Sequence, residues 1–140
     1  MKILLAVDGS PYTRKMLDYL LTHEQLFGPH KDYTLLHVQP GLPPRARAAV
    51  GQDIADSYDA EEAQQVLAPV SALLAGHGIA PESSWKVGAV GETIAEFADA
   101  GGFDLLVMGS HGHSALGNLV MGSVSTQVLA HSKVPVLLIR

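Results

Sequence analysis

Gly109, Gly112, Gly122 and Ser123 follow the spacing G-x2-G-x9-G-S. The run just ahead of them, Leu105 to Met108, is short, apolar and bounded by polar or glycine residues, as a strand buried in a parallel sheet is. An apolar-periodic segment with Val120, Val124 and Val128 begins around the last glycine, so the stretch reads as strand, glycine loop and helix start. Glycines at such a junction let backbone N–H groups converge without Cβ crowding, and a helix N-terminus adds partial positive charge. Together they suit a phosphate. Ser123 and Ser125 offer hydroxyl donors, and Ser110 or Ser114 offers a hydrogen bond to hold the loop. The same glycines also serve a tight turn and a close helix–strand contact, and the residue pattern leaves both readings open.

Other chemistries find less support. Gly117 and Gly122-Ser123 imitate part of a Walker A pattern, but the lysine that should precede the serine is missing, and no G-x-G-x-x-G occurs. The nucleophile elbow G-x-S-x-G is absent, which removes the main reason to expect a hydrolase triad on an α/β frame. Of seven histidines only His111 and His113 are close in sequence, with no third ligand nearby, so they read as polar loop residues and no metal site is expected. His37 lies in an apolar strand and reads as a hydrogen-bonded core residue. No catalytic residue is assigned.

Asp8 closes the apolar run from Lys2, so it stands at a strand's carboxyl end, where it either holds the first turn or contacts a ligand. Arg45 and Arg47 fall in the connection after Pro40 and read as solvated surface.

The elements that must position these residues alternate. Ser10 is a plausible N-cap, with Pro11 at the first helical position, and Met16, Leu17, Leu20 and Leu21 form the stripe of a helix running to about Gln25. Tyr33 to Val38 is a second strand, broken by Gln39-Pro40-Gly41 and followed by a long connection. Asp53 to about Ala75 reads as a helix with Pro69 inside it as an expected kink. Glu82 to Val87 is more polar than the other strands and suits a sheet edge. A helix with Ile94, Phe97 and Ala98 facing inward comes next, stopped by Gly101-Gly102. The resulting order, βαβαβαβαβ, predicts a parallel sheet covered on both faces, with a ligand crevice between the first and fourth strands.

At 140 residues the chain is expected to be one domain, 1–140. Its 47% hydrophobic and 16% charged composition is that of a globular protein, and the absence of cysteine excludes disulfides and thiol catalysis. No segment is long enough to span a bilayer, so no membrane role is expected and the cytoplasm is the expected compartment. A net charge of −5 with no basic face argues against nucleic-acid binding. It also means that a triphosphate needs backbone amides and a divalent cation, Mg²⁺ or Mn²⁺.

The glycine-serine motif, VDGS after the first strand, LLHV in the second and VPVLLI at the end make the chain resemble the universal stress protein family over essentially its whole length. The resemblance implies a five-stranded doubly wound parallel sheet of order 3-2-1-4-5, adenine nucleotide alpha hydrolase-like. It also implies an ATP-binding stress-response regulator, with ADP or AMP as other ligands. Carried over by position, adenine would lie near Ala6, Asp8 and Val38, and ribose near Met108 and Gly109. The phosphates would meet Gly112, Gly122, Ser123 and the amide of Val124. The chain departs from many relatives in lacking lysine and arginine from His113 to Met121. A slow ATPase or phosphotransferase, or an interaction module of the same fold that binds no nucleotide, are the alternatives. With the final strand at the sheet edge, as the family order implies, Val134 to Ile139 is also expected to form a homodimer.

Overall fold

The computed structural model describes residues 1–113 and 120–140, so Ser114 and Gly117 lie outside the described residues. Five strands, β1 (Lys2–Ala6), β2 (Asp32–Gln39), β3 (Glu82–Val87), β4 (Leu105–Gly109) and β5 (Val136–Ile139), form one parallel sheet of order β3-β2-β1-β4-β5. The helices are α1 (Pro11–Thr22), α2 (Glu24–Phe27), α3 (Pro44–Val50), α4 (Gln52–Ala75), α5 (Val90–Ala100) and α6 (Ser123–His131).

The two-residue period of the central strands builds two cores. Ile3, Leu5, Leu35 and Val107 face one side and pack with Met16, Leu17 and Leu20 of α1 and Leu67, Val70 and Leu74 of α4. Leu4, Ala6, Leu36, Leu106 and Met108 face the other, against Ile94 and Ala98 of α5 and Val128 of α6. Phe97 packs against that second core only partly buried. Such two-sided burial is why β1 and β4 read as unbroken apolar runs. β3, polar and half exposed, lies at the sheet edge as its composition predicts.

Three local features differ from the sequence expectation. The first helix ends at Thr22, whose hydroxyl donates to the carbonyls of Asp18 and Tyr19. The chain turns at His23 and resumes as α2. The connection after Pro40 contains a helix, α3, because Pro44 supplies a favourable first helical position ahead of Arg-Ala-Arg-Ala-Ala. Arg47 on that helix is not solvated surface. Its guanidinium lies 2.7 Å from Oδ2 of Asp59 in α4, a residue only 2% exposed. Pro69 lies inside α4 without ending it.

Candidate functional site

The chain moves outward in one direction from β1 to β2 and β3, and in the other from β4 to β5. The junction of β1 and β4 is therefore the point at which a doubly wound sheet opens a crevice. A cavity of about 820 Å³ lies there. Ala6 and Asp8 from the end of β1, Val38 from β2, Met108 and Gly109 from β4, Gly112 from the loop, and Gly122, Ser123 and Val124 at the start of α6 all line it.

Asp8 does structural work with one oxygen. Its Oδ1 accepts from the Ser10 N–H at 2.9 Å and from the Thr13 hydroxyl at 2.9 Å, while that hydroxyl accepts from the Asp8 N–H at 3.0 Å. Ser10 in turn caps α1, its hydroxyl accepting from the Thr13 N–H. The turn-holding reading of Asp8 is thus met by Oδ1, and Oδ2 lies beside Gly112.

The loop after β4 is tied at several points. Ser110 donates its N–H to the Ile139 carbonyl at 2.8 Å, and its own carbonyl accepts from the Gly122 N–H at 2.7 Å. The buried Ser125 hydroxyl donates to the carbonyls of Gly109 and Ser110 at 3.2 and 2.9 Å. Ser125, expected as a ligand donor, is instead a brace inside the loop. Gly122 is the N-cap of α6, and the first intrahelical bond runs from Thr126 N–H to Gly122 carbonyl. The N–H groups of Ser123, Val124 and Ser125 precede that bond, so the helix itself gives them no acceptor and they form the positive end of its dipole.

Space at this cradle depends on missing side chains. A Cβ on Gly109 would lie 2.6 Å from Cβ of Tyr12, and one on Gly122 would lie 3.2 Å from Cα of His111. Neither glycine has a positive φ, so close approach and not backbone conformation requires them.

Imidazoles and carboxylates supply the titratable side chains of the lining, with Tyr58. His37, buried in the wall, places Nδ1 2.8 Å from the Val7 carbonyl and Nε2 3.0 Å from Oε1 of Gln39. Gln39 donates onward to the Asp59 carbonyl at 2.8 Å, so the cavity wall is tied to the α3–α4 ion pair. His111 bonds Ser110 Oγ at 2.9 Å and lies against the Tyr12 ring, centroids 4.9 Å apart. His113 Nε2 is 2.6 Å from the Asp8 carbonyl. No lysine or arginine is among the described residues that line the cavity.

Sequence reasoning misses Tyr58, Glu62 and Val66, which line the cavity from α4. Their four-residue spacing marks one stripe of a helix, a signal present in the sequence but indistinguishable there from an ordinary helix face. On the other side of the sheet Val90 and Ile94 of α5 complete an apolar slot with Ala6, Val38 and Met108.

A parallel doubly wound sheet with a glycine-lined crevice at its crossover defines an α/β protein that takes a ligand beyond its strand ends. The chain belongs to the universal stress protein family, whose model matches residues 1–140. It is 31% identical over 139 residues to a universal stress protein of Thermus aquaticus, covering 99% of this chain and 97% of that one. It is 32% identical over 139 residues to universal stress protein Slr1230 of Synechocystis, again over 99% of this chain but only 42% of that protein, so it spans less than half of that relative's length. Among solved structures it is similar to protein MJ0577 of Methanocaldococcus jannaschii, with TM-score 0.79 and 27% identity over 99% of this chain and 94% of that one. It also shares its fold with UspA from Lactobacillus plantarum, at TM-score 0.81 and 22% identity over 100% and 97% of the two chains.

Proposed function

We propose that the protein binds an adenine nucleotide in the β1–β4 crevice and acts as a cytoplasmic regulator of the stress type. The observation that carries this reading is the convergence of Gly109, Gly112 and Gly122 with the opening amides of α6 around one cavity. The base would occupy the apolar slot near Ala6, Asp8 and Val38, the ribose would meet Met108 and Gly109, and phosphates would meet Gly112, Gly122, Ser123 and Val124. Two solved chains of this fold are described with nucleotides, one from Arabidopsis thaliana with AMP bound and one in complex with cAMP. Those ligands belong to those proteins and define the class to test here, with ATP first.

Mg²⁺ or Mn²⁺ fits as a companion of the phosphates, not as a resident ion. Among the described residues no group of three His, Cys, Asp or Glu side chains gathers to hold a metal. Asp8 Oδ2 is the carboxylate oxygen beside the cradle that would meet such an ion. Hydrolysis is expected to be slow, because the described residues of the lining include no lysine or arginine for a transferring phosphoryl group.

Calorimetry with ATP and Mg²⁺ tests the reading. Gly122→Val places a branched side chain against the backbone of His111 and Ser110, and it is expected to abolish binding while circular dichroism stays native-like. Equal binding by the variant and the parent sinks the phosphate cradle.

A further inference from the structure

The cavity straddles the sheet. Ala6, Val38 and Met108 of its wall belong to the core shared with α5 and α6, whereas Val7 and Val66 belong to the side packed by α1 and α4. The nucleotide proposed above would use the first side, its base in the apolar slot and its phosphates at the start of α6. A ribose joining those two ends over Met108 and Gly109 presents its remaining face to the second side, where α4 forms the wall.

α4 is fixed there at two points. The Asp59 carbonyl accepts from Nε2 of Gln39, the last residue of β2, at 2.8 Å. Val66 lies beside the turn after β1, its Cγ2 3.6 Å from where a Cβ on Gly9 would stand. Glu62 falls between these anchors, half-buried, on the stripe of α4 that lines the cavity. Among the described residues its carboxylate makes no hydrogen bond or ion pair. Side-chain donors of the same wall are engaged elsewhere, the Gln39 amide with Asp59 and the Thr13 hydroxyl with Asp8.

A carboxylate only accepts, so Glu62 offers the cavity two acceptor oxygens and repels a phosphate. A ligand that covers it removes water from those oxygens and must bring donors in exchange. On the sugar of a nucleotide the donors are the 2′- and 3′-hydroxyls, set side by side at the spacing a carboxylate spans. Acidic residues read the ribose hydroxyl in the same way in other doubly wound folds.

We propose that Glu62 reads the sugar of the bound nucleotide, its carboxylate accepting from the 2′- and 3′-hydroxyls, so that the site selects ribonucleotides with a free vicinal diol. The proposal rests on the nucleotide reading above. A 2′-deoxy or 3′-deoxy ligand strips water from Glu62 and leaves one oxygen without a donor, the kind of mismatch that a polar site rejects most strongly. A 3′,5′-cyclic nucleotide lacks the 3′-hydroxyl and carries an anion in its place, so it is disfavoured twice.

Calorimetry with ATP, 2′-deoxy-ATP and 3′-deoxy-ATP, each with Mg²⁺, tests this, because the three share one base and one triphosphate. Parent protein is expected to bind ATP about tenfold more tightly than either deoxy analogue. Glu62→Ala, a change that favours the helix, is expected to bind all three alike. A merely structural or repulsive Glu62 would shift the three affinities together in that variant and leave the gap between them intact. That outcome, or a parent that does not distinguish ATP from the deoxy analogues, overturns the assignment to Glu62 and leaves the nucleotide reading standing. A parent that binds none of the three overturns both.

Discussion

Gly112 rests its Cα against the carboxylate of Asp8, so closely that a Cβ on Gly112 would lie 2.7 Å from Oδ2. Real Cβ atoms do not approach an oxygen so closely, so any larger residue must push Asp8 aside. The turn after β1 and the loop after β4 are thereby fitted to one another although Asp8 and Gly112 stand 104 positions apart in the chain.

Gly112→Ala is therefore expected to displace Asp8 Oδ2 while the turn held by Oδ1 survives. Affinity for ATP should fall by about tenfold, and the overpacking should also lower the unfolding midpoint, at a cost of about 1 kcal/mol to the folded protein. Calorimetry and urea unfolding check this together. Unchanged affinity would show that the Asp8–Gly112 contact does not shape the ligand site.

Arg47 and Asp59 form the clamp between α3 and α4. Asp59 is nearly enclosed, its Oδ2 pairs with Arg47, and Oδ1 is buried without a hydrogen-bond partner. Arg47→Ala leaves that carboxylate with no paired charge and should destabilise the protein by about 2 kcal/mol. This is below the value for a fully buried pair because the Arg47 side chain is 27% exposed. Adding Asp59→Asn to Arg47→Ala should recover part of the loss. Urea unfolding of the single and double variants decides it, and a loss no larger in the single than in the double contradicts the clamp.

β5 is expected to pair with the same strand of a second copy. It is an edge strand of four apolar residues, of which Val136, Leu137 and Leu138 are only half-buried. The Pro135 carbonyl accepts from Leu106 of β4 and the Ile139 carbonyl from Ser110 just after it, so in the alternating pattern of a parallel ladder the backbone groups of Val136 and Leu138 point outward. Light scattering should give twice the chain mass of 14.8 kDa. Leu138→Pro removes one outward donor but none that pairs with β4, and should yield a folded monomer by circular dichroism. A parent that scatters as a monomer at micromolar concentration rules this interface out.

Burial pushes the Tyr33 hydroxyl up to about 12 from its ordinary 10.0. The hydroxyl donates to the Gly28 carbonyl at 3.1 Å, a bond that ionisation would abolish. Because the folded value is raised, the contribution to stability is fully present below pH 10 and is lost as pH rises from there towards 12. Urea midpoints measured across that range should fall in the parent and fall less steeply in Tyr33→Phe. Identical slopes would contradict a buried, late-ionising Tyr33.

Local pattern carried much of this protein. Period-two apolar runs, amphipathic stripes and the Ser10-Pro11 helix start depend on near neighbours, so β1, α1, β4 and the strand–loop–helix around Gly109 and Gly122 were legible from the residues alone. Strand order was legible only through the family resemblance, because an apolar run does not say which other run lies beside it. The tertiary structure decided what each polar side chain meets. Ser123 and Ser125 look alike in sequence, yet Ser125 turns inward to brace Gly109 and Ser110 because helix geometry carries the hydroxyl two positions on under the loop. Arg47 looked like surface until α3 folded back on α4, and Tyr58 and Glu62 became cavity wall only because α4 crosses the open ends of β1 and β2. Such pairings join residues distant in the chain, and their energies depend on burial and distance, quantities that exist only once the sheet has brought the strand ends together.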